Sequence, residues 1–345
     1  MPPADLVSVD CSGVGPGGIT RVLTEVVRHW PGRLELIAPP AGWDPPVDVP
    51  VVARSGGGRA RSIAAALRAL RHTTGGRVLS LSPSLAIRGV RPGRPVTTVV
   101  HDLAFRLWPT GLPAAVRQYR RVSYATAIRR SDSLVCVSAR TQHDLLGLYG
   151  VPAGRTRLWS PGSDLPAEPG AGPAGLAQPY LAIAGHAEHK GVELAIEALA
   201  DHPGYTLAIL TGGQRIDRFV RAAAASEAAE RIVFLGRLGD ADYRATVAGA
   251  AAFLMPSHFE GFGLPAVEAL RLGVPTVISP DPALHEATGG AAIRMTSWSG
   301  TALARALNEI DHGPPPAAAP GRTWQEATEH LYELVVGAPV QLASR

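Results

Sequence analysis

The sequence predicts an α/β protein made of two domains, each built around a parallel β-sheet. Short segments that are apolar at nearly every position alternate with amphipathic ones, as is typical of parallel strands covered by helices on both faces. At ~100–200 residues per domain, 345 residues suggest two domains. A stretch rich in Pro, Gly and Ala at residues 161–178 separates two series of such segments. We therefore predict domains at 1–165 and 166–320, followed by a helix within 321–345.

The first series begins with the strand ADLVSVDC and the helix ITRVLTEVVRHW, whose apolar side chains recur at the spacing of one helix face. It continues with the strand RLELIAP, the helix RSIAAALRALRH, the strands VLSLS and VTTVVHD, the helix AAVRQYRRVSYATAIRR and the strand SLVCVS. The second series has the strands YLAIAG, YTLAILTG, RIVFLG, AAFLMPS and PTVIS, separated by helical stretches. TWQEATEHLYELV then forms the last helix.

The composition excludes several classes of protein. Hydrophobic residues make up 46% and charged residues 18%, which excludes a disordered or coiled-coil chain. We expect no membrane-spanning helix and no secretory signal, because no apolar run is long enough and the start lacks a basic segment before an apolar one. Cys11 and Cys136 are the only cysteines, so a disulfide framework and a zinc cluster are excluded. A cytoplasmic location is the expectation.

The net charge of +4 conceals an unequal distribution along the chain. Residues 1–165 carry 21 arginines and 10 acidic residues, a balance of +11, whereas residues 166–345 carry 12 basic and 19 acidic residues, a balance of −7. Lys190 is the only lysine among the 33 basic residues. A basic first domain is therefore followed by an acidic second one.

Two loops of the first domain carry residues of chemical interest, because ligands of open parallel sheets bind beyond the carboxyl ends of the strands. After the first strand, Gly13, Gly15 and Gly18 match the pattern GxGxxG, which indicates a dinucleotide or phosphate site or else a tight glycine turn. His101 and Asp102 end the fourth strand. Such a pair can donate a hydrogen bond to a sugar hydroxyl or transfer a proton. The alternative is that the histidine is only hydrogen-bonded at the end of the strand.

Two loops of the second domain carry charged groups. The loop GHAEHKG at 185–191 places Lys190 at the start of a helix, where a cation suits a pyrophosphate, although a solvated lysine is the alternative. In the loop SHFEGFGLPAVE, Glu260 precedes the helix and Glu268 lies in its first turns. We expect both carboxylates to point toward one strand-end cleft, as acid–base chemistry or hydroxyl recognition requires.

Several segments, in order, resemble the GT4 family of retaining glycosyltransferases, which have the GT-B fold. EGFGLPAVEAL looks like the EX7E element of that family, and VVHDLAFRLWP resembles its HDL segment. The stretches SDSLVCVSARTQHDLLGLYGVPAGRTRLWSPGSD, RIVFLGRLGDADYRATVAGAAAFLMPSHFEGFGLP and GRTWQEATEHLYELV are similar to further family segments. The resemblance implies two Rossmann-like domains facing a central cleft, with a C-terminal helix crossing back to the N-terminal domain.

The resemblance also implies roles for individual residues. Glu260 matches the glutamate that holds the donor sugar near the reacting carbon, and His101 the histidine over that sugar; these are the implied catalytic residues. Lys190 matches the lysine that neutralises the pyrophosphate, and Glu268 the glutamate that binds the ribose hydroxyls. The other implied donor contacts are Leu238 at the base, Gly17 and Gly18 beside the phosphates, and His186, Gly261, Phe262, Gly263 and Leu264. For the acceptor we predict contacts with Asp102 and Ser138.

The chain departs from the family pattern at two loops. His186 stands where the family usually has an arginine, and the loop that ends at Lys190 is one residue shorter. This loop is closer to the variant found in some mannosyl- and rhamnosyltransferases. Pro161 replaces the usual asparagine before Gly162.

The function predicted on this basis is retaining transfer of a mannose- or rhamnose-like sugar from a nucleotide-diphosphate sugar, without a metal ion or other cofactor. A nucleotide-sugar epimerase of the same fold is one alternative. An NAD-dependent oxidoreductase that uses Gly13 to Gly18 is another, and a non-catalytic carbohydrate- or membrane-binding relative is a third.

Two predicted helices of the first domain are rich in arginine. One explanation is that these arginines form a solvated basic face. The more specific hypothesis is that they bind an anionic or lipid-linked acceptor, or contact the inner face of the membrane. Nucleic-acid binding has no motif behind it. These residues are Arg59, Arg61, Arg68 and Arg71 on one helix and Arg117, Arg120, Arg121, Arg129 and Arg130 on the other.

Overall fold

The computed structural model divides the chain into two compact units. Unit 1 comprises Met1–Arg106, Leu112–Gly162 and Arg322–Arg345, and unit 2 comprises Leu107–Gly111 and Ser163–Gly321. The structure describes residues 6–15, 17–54, 58–73, 76–109, 112–165, 173, 175–185, 187–211, 216–312 and 321–337.

Unit 1 contains a seven-stranded sheet in which all neighbouring strands are parallel. Its strands are β1 (Leu6–Asp10), β2 (Arg33–Ile37), β3 (Val51–Ala53), β4 (Arg77–Ser80), β5 (Val96–Val100), β6 (Ser133–Cys136) and β7 (Thr156–Leu158). They lie in the order β3-β2-β1-β4-β5-β6-β7. The order reverses beside β1, which is where open sheets of this kind bind ligands.

The helices of unit 1 follow the strands. They are α1 (Gly18–His29), α2 (Arg59–His72), the short α3 (Ala104–Leu107), α4 (Ala114–Arg130), α5 (Ala139–Tyr149) and, after unit 2, α12 (Trp324–Val336). In α1 the apolar stripe is buried, with Val22, Leu23, Val26 and Val27 at most 3% exposed. The stripe therefore lies against the sheet, as its spacing predicts.

Unit 2 contains a second, six-stranded parallel sheet. Its strands are β8 (Tyr180–Ala184), β9 (Thr206–Leu210), β10 (Ile232–Phe234), β11 (Ala252–Met255), β12 (Thr276–Ile278) and β13 (Ile293–Arg294). Its helices are α6 (Val192–Ala200), α7 (Asp217–Ala224), α8 (Asp240–Ala248), α9 (Leu264–Arg271), α10 (Pro282–Thr288) and α11 (Gly300–His312). The strand order β10-β9-β8-β11-β12-β13 reverses between β8 and β11.

The last helix, α12, belongs to unit 1 although it follows unit 2 in sequence. Thr323 begins it with a reciprocal capping box to Glu326. The aromatic ring of Tyr332 packs edge-on against Trp30 at the end of α1, with centroids 5.3 Å apart. The indole Nε1 of Trp159 donates to the carbonyl oxygen of Ala327 at 2.7 Å. The helix therefore returns to the first unit, as expected.

The α/β class and the two parallel sheets are confirmed. The edge strands β3, β7 and β13 were not predicted from the sequence: β7 and β13 each include an arginine and β3 has only three residues, so none of them lies in the longer apolar run that marks a buried strand. Along the described chain, no helix combines the length and the apolar character needed to cross a membrane.

Candidate functional site

The strand order places the candidate site of unit 2 at the carboxyl ends of β8 and β11. These two strands are neighbours, with Leu181 opposite Ala252 and Ile183 opposite Leu254. The loop that leaves β8 carries Lys190, and the loop that leaves β11 carries Glu260. Two loops 70 residues apart in sequence thus meet at one edge of the sheet.

Lys190 and Glu260 form an ion pair. The Lys190 Nζ lies 2.6 Å from Glu260 Oε1, and the two side chains are 16% and 10% exposed. Lys190 ends a 3-10 turn, Glu188–Lys190, and Gly191 follows in the left-handed conformation. Because the pair is largely withdrawn from water, each charge stabilises the other more strongly than at an open surface.

The backbone joins the two loops directly. The peptide N–H of His258 donates to the carbonyl oxygen of His189 at 2.7 Å. The indole of Trp298 stacks parallel to the His258 ring, and its Nε1 donates to the carbonyl oxygen of Ser257 at 3.1 Å. Burial lowers the pKa of His258, so its ring is neutral at pH 7. These contacts hold the segment before Glu260 in place.

Asp281 is a buried carboxylate below this segment that the sequence analysis missed. It is 1% exposed, begins α10 by accepting from the N–H of Ala283 at 2.8 Å, and accepts from the N–H of Glu260 at 3.4 Å. An Asp before a proline is a helix-start signal, but the sequence does not show that the same side chain reaches another loop.

Glycine is required at the start of α9. Gly263 has φ +105° and no side chain caps the helix after it. A Cβ at this position would overlap the side chain of Leu284. Gly261, Phe262 and Leu264 flank it and are partly exposed. The first N–H groups of a helix have no partner within it and carry about half a positive charge, so this loop is suited to an anion.

Glu268 lies one turn into α9 and is 3% exposed. The hydroxyl of Tyr243 on α8 donates to its Oε2 at 3.0 Å. Tyr243 is a second residue that the sequence analysis missed, and no sequence motif marks it. This hydrogen bond orients the Glu268 carboxylate, which the family resemblance implies binds the ribose hydroxyls.

Two further predicted donor contacts are Leu238 and His186. Leu238 follows β10 at the same sheet edge, and its partly buried side chain packs on the core beneath it. His186 lies outside the described residues.

In unit 1, His101 follows β5 and is held by the backbone. Its Nε2 lies 2.8 Å from the carbonyl oxygen of Leu81, so this nitrogen carries the hydrogen and donates. Burial lowers the pKa of His101, against the opposing effects of that hydrogen bond and of Asp102. The ring is therefore neutral at pH 7, and its Nδ1 acts as an acceptor.

Asp102 and Ser138 both begin helices. Asp102 Oδ1 accepts from the N–H of Ala104 at 2.9 Å and lies 3.7 Å from Arg120 Nη1. Ser138 is 2% exposed, and its Oγ accepts from the N–H of Thr141 at 3.0 Å. Asp102 lines a cavity, whereas Ser138 is committed to the cap of α5. Their predicted contacts with an acceptor stay predictions.

The glycine-rich loop after β1 is packed against the loop after β4. A Cβ on Gly13 would lie 2.7 Å from the carbonyl oxygen of Ser82, so the close approach of the two loops requires this glycine. Gly17, with φ +107°, is the N-cap residue that precedes α1, and Gly18 is the first residue of the helix. A Cβ on either of these two glycines would meet no atom within 4 Å, so packing alone does not require glycine there.

Glu35 is the acidic residue of β2, and it lies in the middle of that strand. It lies opposite Ser8 in the register of β1 and β2, and the Ser8 hydroxyl donates to its Oε1. It is therefore a side chain of the sheet face rather than of the strand ends. Glu35 therefore does not supply the acidic residue at the end of the second strand that an NAD-dependent oxidoreductase would use for the ribose.

Among the described side chains, no group of three or more His, Cys, Asp or Glu is arranged to hold a metal ion.

Replacing Gly191 with alanine is expected to loosen the Lys190 turn. Gly191 has φ +70°, and a Cβ there would overlap the carbonyl oxygen of Pro256, which is backbone and cannot rotate away. Gly273 is the matched control, because it has φ +75° with open space around it. Both variants cost about 1–2 kcal/mol of left-handed strain. The overlap lowers the stability of Gly191→Ala by a further ~1–3 kcal/mol, so this variant should melt at a lower temperature than Gly273→Ala. Equal melting temperatures would show that the turn is not held by this contact.

Two family models match the chain, one in each half. The model described as Glycosyltransferase Family 4 matches residues 16–166, and the model described as Glycosyl transferases group 1 matches residues 173–321. Together they leave only the two ends and a short connection unmatched.

The curated relatives are named as glycogen synthases, a mannosyltransferase and D-inositol 3-phosphate glycosyltransferases. The chain is 31% identical over 232 residues to a glycogen synthase of Mycobacterium tuberculosis, a match that covers 65% of this chain and 55% of the relative. It is 27% identical over 216 residues to the O-antigen chain mannosyltransferase B of Escherichia coli, covering 58% of this chain and 56% of that protein. The chain thus spans about half the length of the curated relatives it matches.

Solved structures share the fold. WaaG, a glycosyltransferase involved in lipopolysaccharide biosynthesis, superposes with a TM-score of 0.69 at 17% identity, over 96% of this chain and all of that one. Anabaena HepE, solved in complex with UDP and glucose, superposes with a TM-score of 0.69 at 19% identity, over 96% of this chain and 95% of that one.

The two parallel-sheet units therefore define the chain as a protein of the GT-B glycosyltransferase architecture. With both family models matched, the chain belongs to the GT4-type glycosyltransferases.

Proposed function

We propose that this protein transfers a mannose- or rhamnose-like sugar from a nucleoside-diphosphate sugar to an acceptor hydroxyl, with retention of configuration and without a metal ion. The observation that carries the proposal is the Lys190–Glu260 pair at the carboxyl ends of β8 and β11. It places one cation and one carboxylate where a parallel sheet of this order binds its ligand.

Lys190 and the start of α9 supply the positive charge for the diphosphate. When the donor binds, the Lys190 ammonium group leaves Glu260 and pairs with a phosphate oxygen. The N-terminus of α9, which has no side-chain cap, adds its partial positive charge beside the diphosphate. A leaving diphosphate is thus stabilised by groups of the protein itself, as the transition state requires. This arrangement supports a mechanism that needs no metal ion.

Glu260 and Glu268 position the rest of the donor. Once Lys190 turns to the phosphate, the Glu260 carboxylate accepts hydrogen bonds from hydroxyls of the sugar. Glu268, oriented by Tyr243, accepts from the ribose hydroxyls. Fixing the sugar and the nucleoside at separate points holds the anomeric carbon still for attack.

The chemistry requires no strong base from the protein. The acceptor oxygen forms a bond to the anomeric carbon on the face from which the diphosphate leaves, and the carbon–oxygen bond to the diphosphate breaks. The acceptor proton passes to the departing phosphate oxygen. The products are a glycoside and a nucleoside diphosphate.

The choice of sugar rests on two observations. The short loop that ends at Lys190 resembles that of some mannosyl- and rhamnosyltransferases, and a matched relative is a mannosyltransferase by name. UDP and glucose are the ligands of HepE, so uridine and glucose belong in the same test.

A panel of UDP-, GDP- and dTDP-sugars, with and without sugar acceptors, tests the proposal. A donor at a hundred times its Kd stabilises the protein by about 2.7 kcal/mol, which raises the melting temperature by about 5–10 °C. We expect one nucleotide class to do so and to release nucleoside diphosphate faster when an acceptor is added. The anomeric proton of the product, read by NMR, should report retained configuration. Conversion of the donor to its epimer without acceptor would establish the epimerase instead.

A further inference from the structure

The loops after three neighbouring strands of unit 2 meet at the peptide segment that precedes Glu260. The strand order β8-β11-β12-β13 places the carboxyl ends of β11, β12 and β13 side by side. Ser257 follows β11, Ser279 follows β12 and Trp298 follows β13. The proposed donor chemistry uses the first of these loops, through Glu260, and gives no role to the loop that carries Trp298.

Trp298 contacts this segment in two ways. Its indole Nε1 donates to the carbonyl oxygen of Ser257 at 3.1 Å. Its ring lies nearly parallel to the ring of His258, with the two planes 13° apart and the centroids separated by 6.2 Å. The same side chain therefore restrains both a peptide group and a neighbouring side chain shortly before Glu260.

Other residues hold the segment in its place without Trp298. The Ser279 hydroxyl donates to the same Ser257 carbonyl oxygen at 2.5 Å, and both serines are fully buried. The indole of Trp108, which belongs to unit 2, stacks with the His258 ring at a centroid distance of 4.9 Å. Because these contacts do not depend on Trp298, its removal leaves the segment folded and only less restrained.

Trp298 differs from the residues it touches in its exposure to solvent. Its side chain is 42% exposed, whereas Ser257 is fully buried and Glu260 is 8% exposed. A side chain that stays partly in water gains less from the hydrophobic effect than a buried one, so its loss costs the fold comparatively little. The contacts of Trp298 fall on the segment that carries Glu260. Its removal should therefore disturb the site more than the fold.

The placement of Glu260 decides the geometry of its ion pair. Glu260 Oε1 lies 2.6 Å from Lys190 Nζ. The peptide nitrogen of Glu260 lies 3.4 Å from Asp281 Oδ2, which is long for an N–H···O bond, so this contact restrains Glu260 only weakly. A displacement of about 1 Å at a group that positions the substrate lowers turnover by about a hundredfold. The restraint on the preceding segment therefore matters for turnover.

We propose that Trp298 is a positioning residue for sugar transfer. It holds Ser257 and His258 so that the Glu260 carboxylate pairs with Lys190 and faces the donor sugar. Trp298 itself touches neither the sugar nor the diphosphate and acts through Glu260. The inference rests on the proposed transferase function, but the effect of Trp298 on the ion pair is measured without turnover.

The ion pair is observed directly by NMR, because Lys190 is the only lysine of the chain. Protein labelled at the side-chain nitrogen of lysine gives one ammonium signal, and its position in Glu260→Gln marks the state without the carboxylate. We expect the signal to move toward that position in Trp298→Ala. The control is Trp43→Phe, which removes an indole hydrogen bond to Thr24 in unit 1 and should leave the signal unmoved.

Initial rates of nucleoside diphosphate release test the effect on transfer. Trp298→Phe keeps a ring beside His258 but loses the hydrogen bond to Ser257, so we expect kcat to fall about two- to tenfold. Trp298→Ala loses both contacts, and kcat should fall about ten- to a hundredfold. The KM for the donor and the affinity for nucleoside diphosphate should change by less than about twofold. In Glu260→Gln, adding Trp298→Ala should lower kcat by clearly less, because the two residues act together.

Three results would overturn the positioning role. The first is an ammonium signal that does not move in Trp298→Ala, or moves equally in Trp43→Phe. The second is a higher donor KM or a weaker diphosphate affinity with unchanged kcat, which would show that the indole binds the donor itself. The third is an equal fall of kcat from Trp298→Ala with and without Glu260→Gln. Absence of transfer by the wild type would overturn the proposed function, while the ammonium signal still decides whether Trp298 places Glu260.

Discussion

Replacing Glu260 with glutamine is expected to lower sugar transfer by at least about a hundredfold, while binding of a nucleoside diphosphate that carries no sugar is retained or becomes tighter. The loss follows because a neutral amide holds the sugar hydroxyls less firmly than a carboxylate. The gain follows because Lys190, now paired with Glu260 at 2.6 Å, no longer has to leave a carboxylate before it meets a phosphate.

Glu230 supplies the control for this experiment. It is an exposed glutamate of unit 2, and Glu230→Gln changes the net charge by the same amount. Initial rates of nucleoside diphosphate release measure transfer, and calorimetry measures diphosphate binding. Near wild-type turnover in Glu260→Gln would show that the reacting sugar lies elsewhere.

Replacing Lys190 with methionine is expected to weaken nucleoside diphosphate binding by about 10–150-fold, the range for loss of a hydrogen bond to a charged group. Methionine keeps most of the length of the side chain and removes its charge. The Glu260 carboxylate, left without its cation, then repels the diphosphate as well. The effect should therefore lie toward the upper part of that range.

Lys190→Arg and Arg221→Met complete this experiment. Arginine keeps the positive charge but not the compact shape of an ammonium group, so we expect partial recovery of affinity. Arg221 is exposed on α7, and its loss reproduces the change in net charge without touching the site. If Lys190→Met and Arg221→Met weaken binding equally, the effect is one of net charge and Lys190 has no specific role.

Much of the fold could be predicted because its signals are local. Buried parallel strands such as β8 and β11 are apolar along their length, and α4 was predicted with the bounds that the structure has. The short edge strands β7 and β13 lack such a signal. They form strands because a neighbouring strand pairs with them, and this pairing cannot be predicted from the local sequence.

The site was predictable in its residues but not in its contacts. Lys190 and Glu260 were marked by their places between strands and helices, yet their direct pairing depends on β8 and β11 being neighbours. Tyr243 was missed because its role is visible only where α8 meets α9. The glycines of the first loop had two explanations, and Gly13 turns out to be required by packing against Ser82.

The central claim, that Lys190 is the diphosphate ligand and that Glu260 holds it until the donor binds, is tested most directly by a double-mutant cycle. Nucleoside diphosphate affinity is measured by calorimetry in wild type, Lys190→Met, Glu260→Gln and the double variant. The account predicts that Glu260→Gln tightens binding about threefold or more when Lys190 is present, and by clearly less when it is absent. An equal effect of Glu260→Gln in both backgrounds, or weaker binding in both, would contradict it.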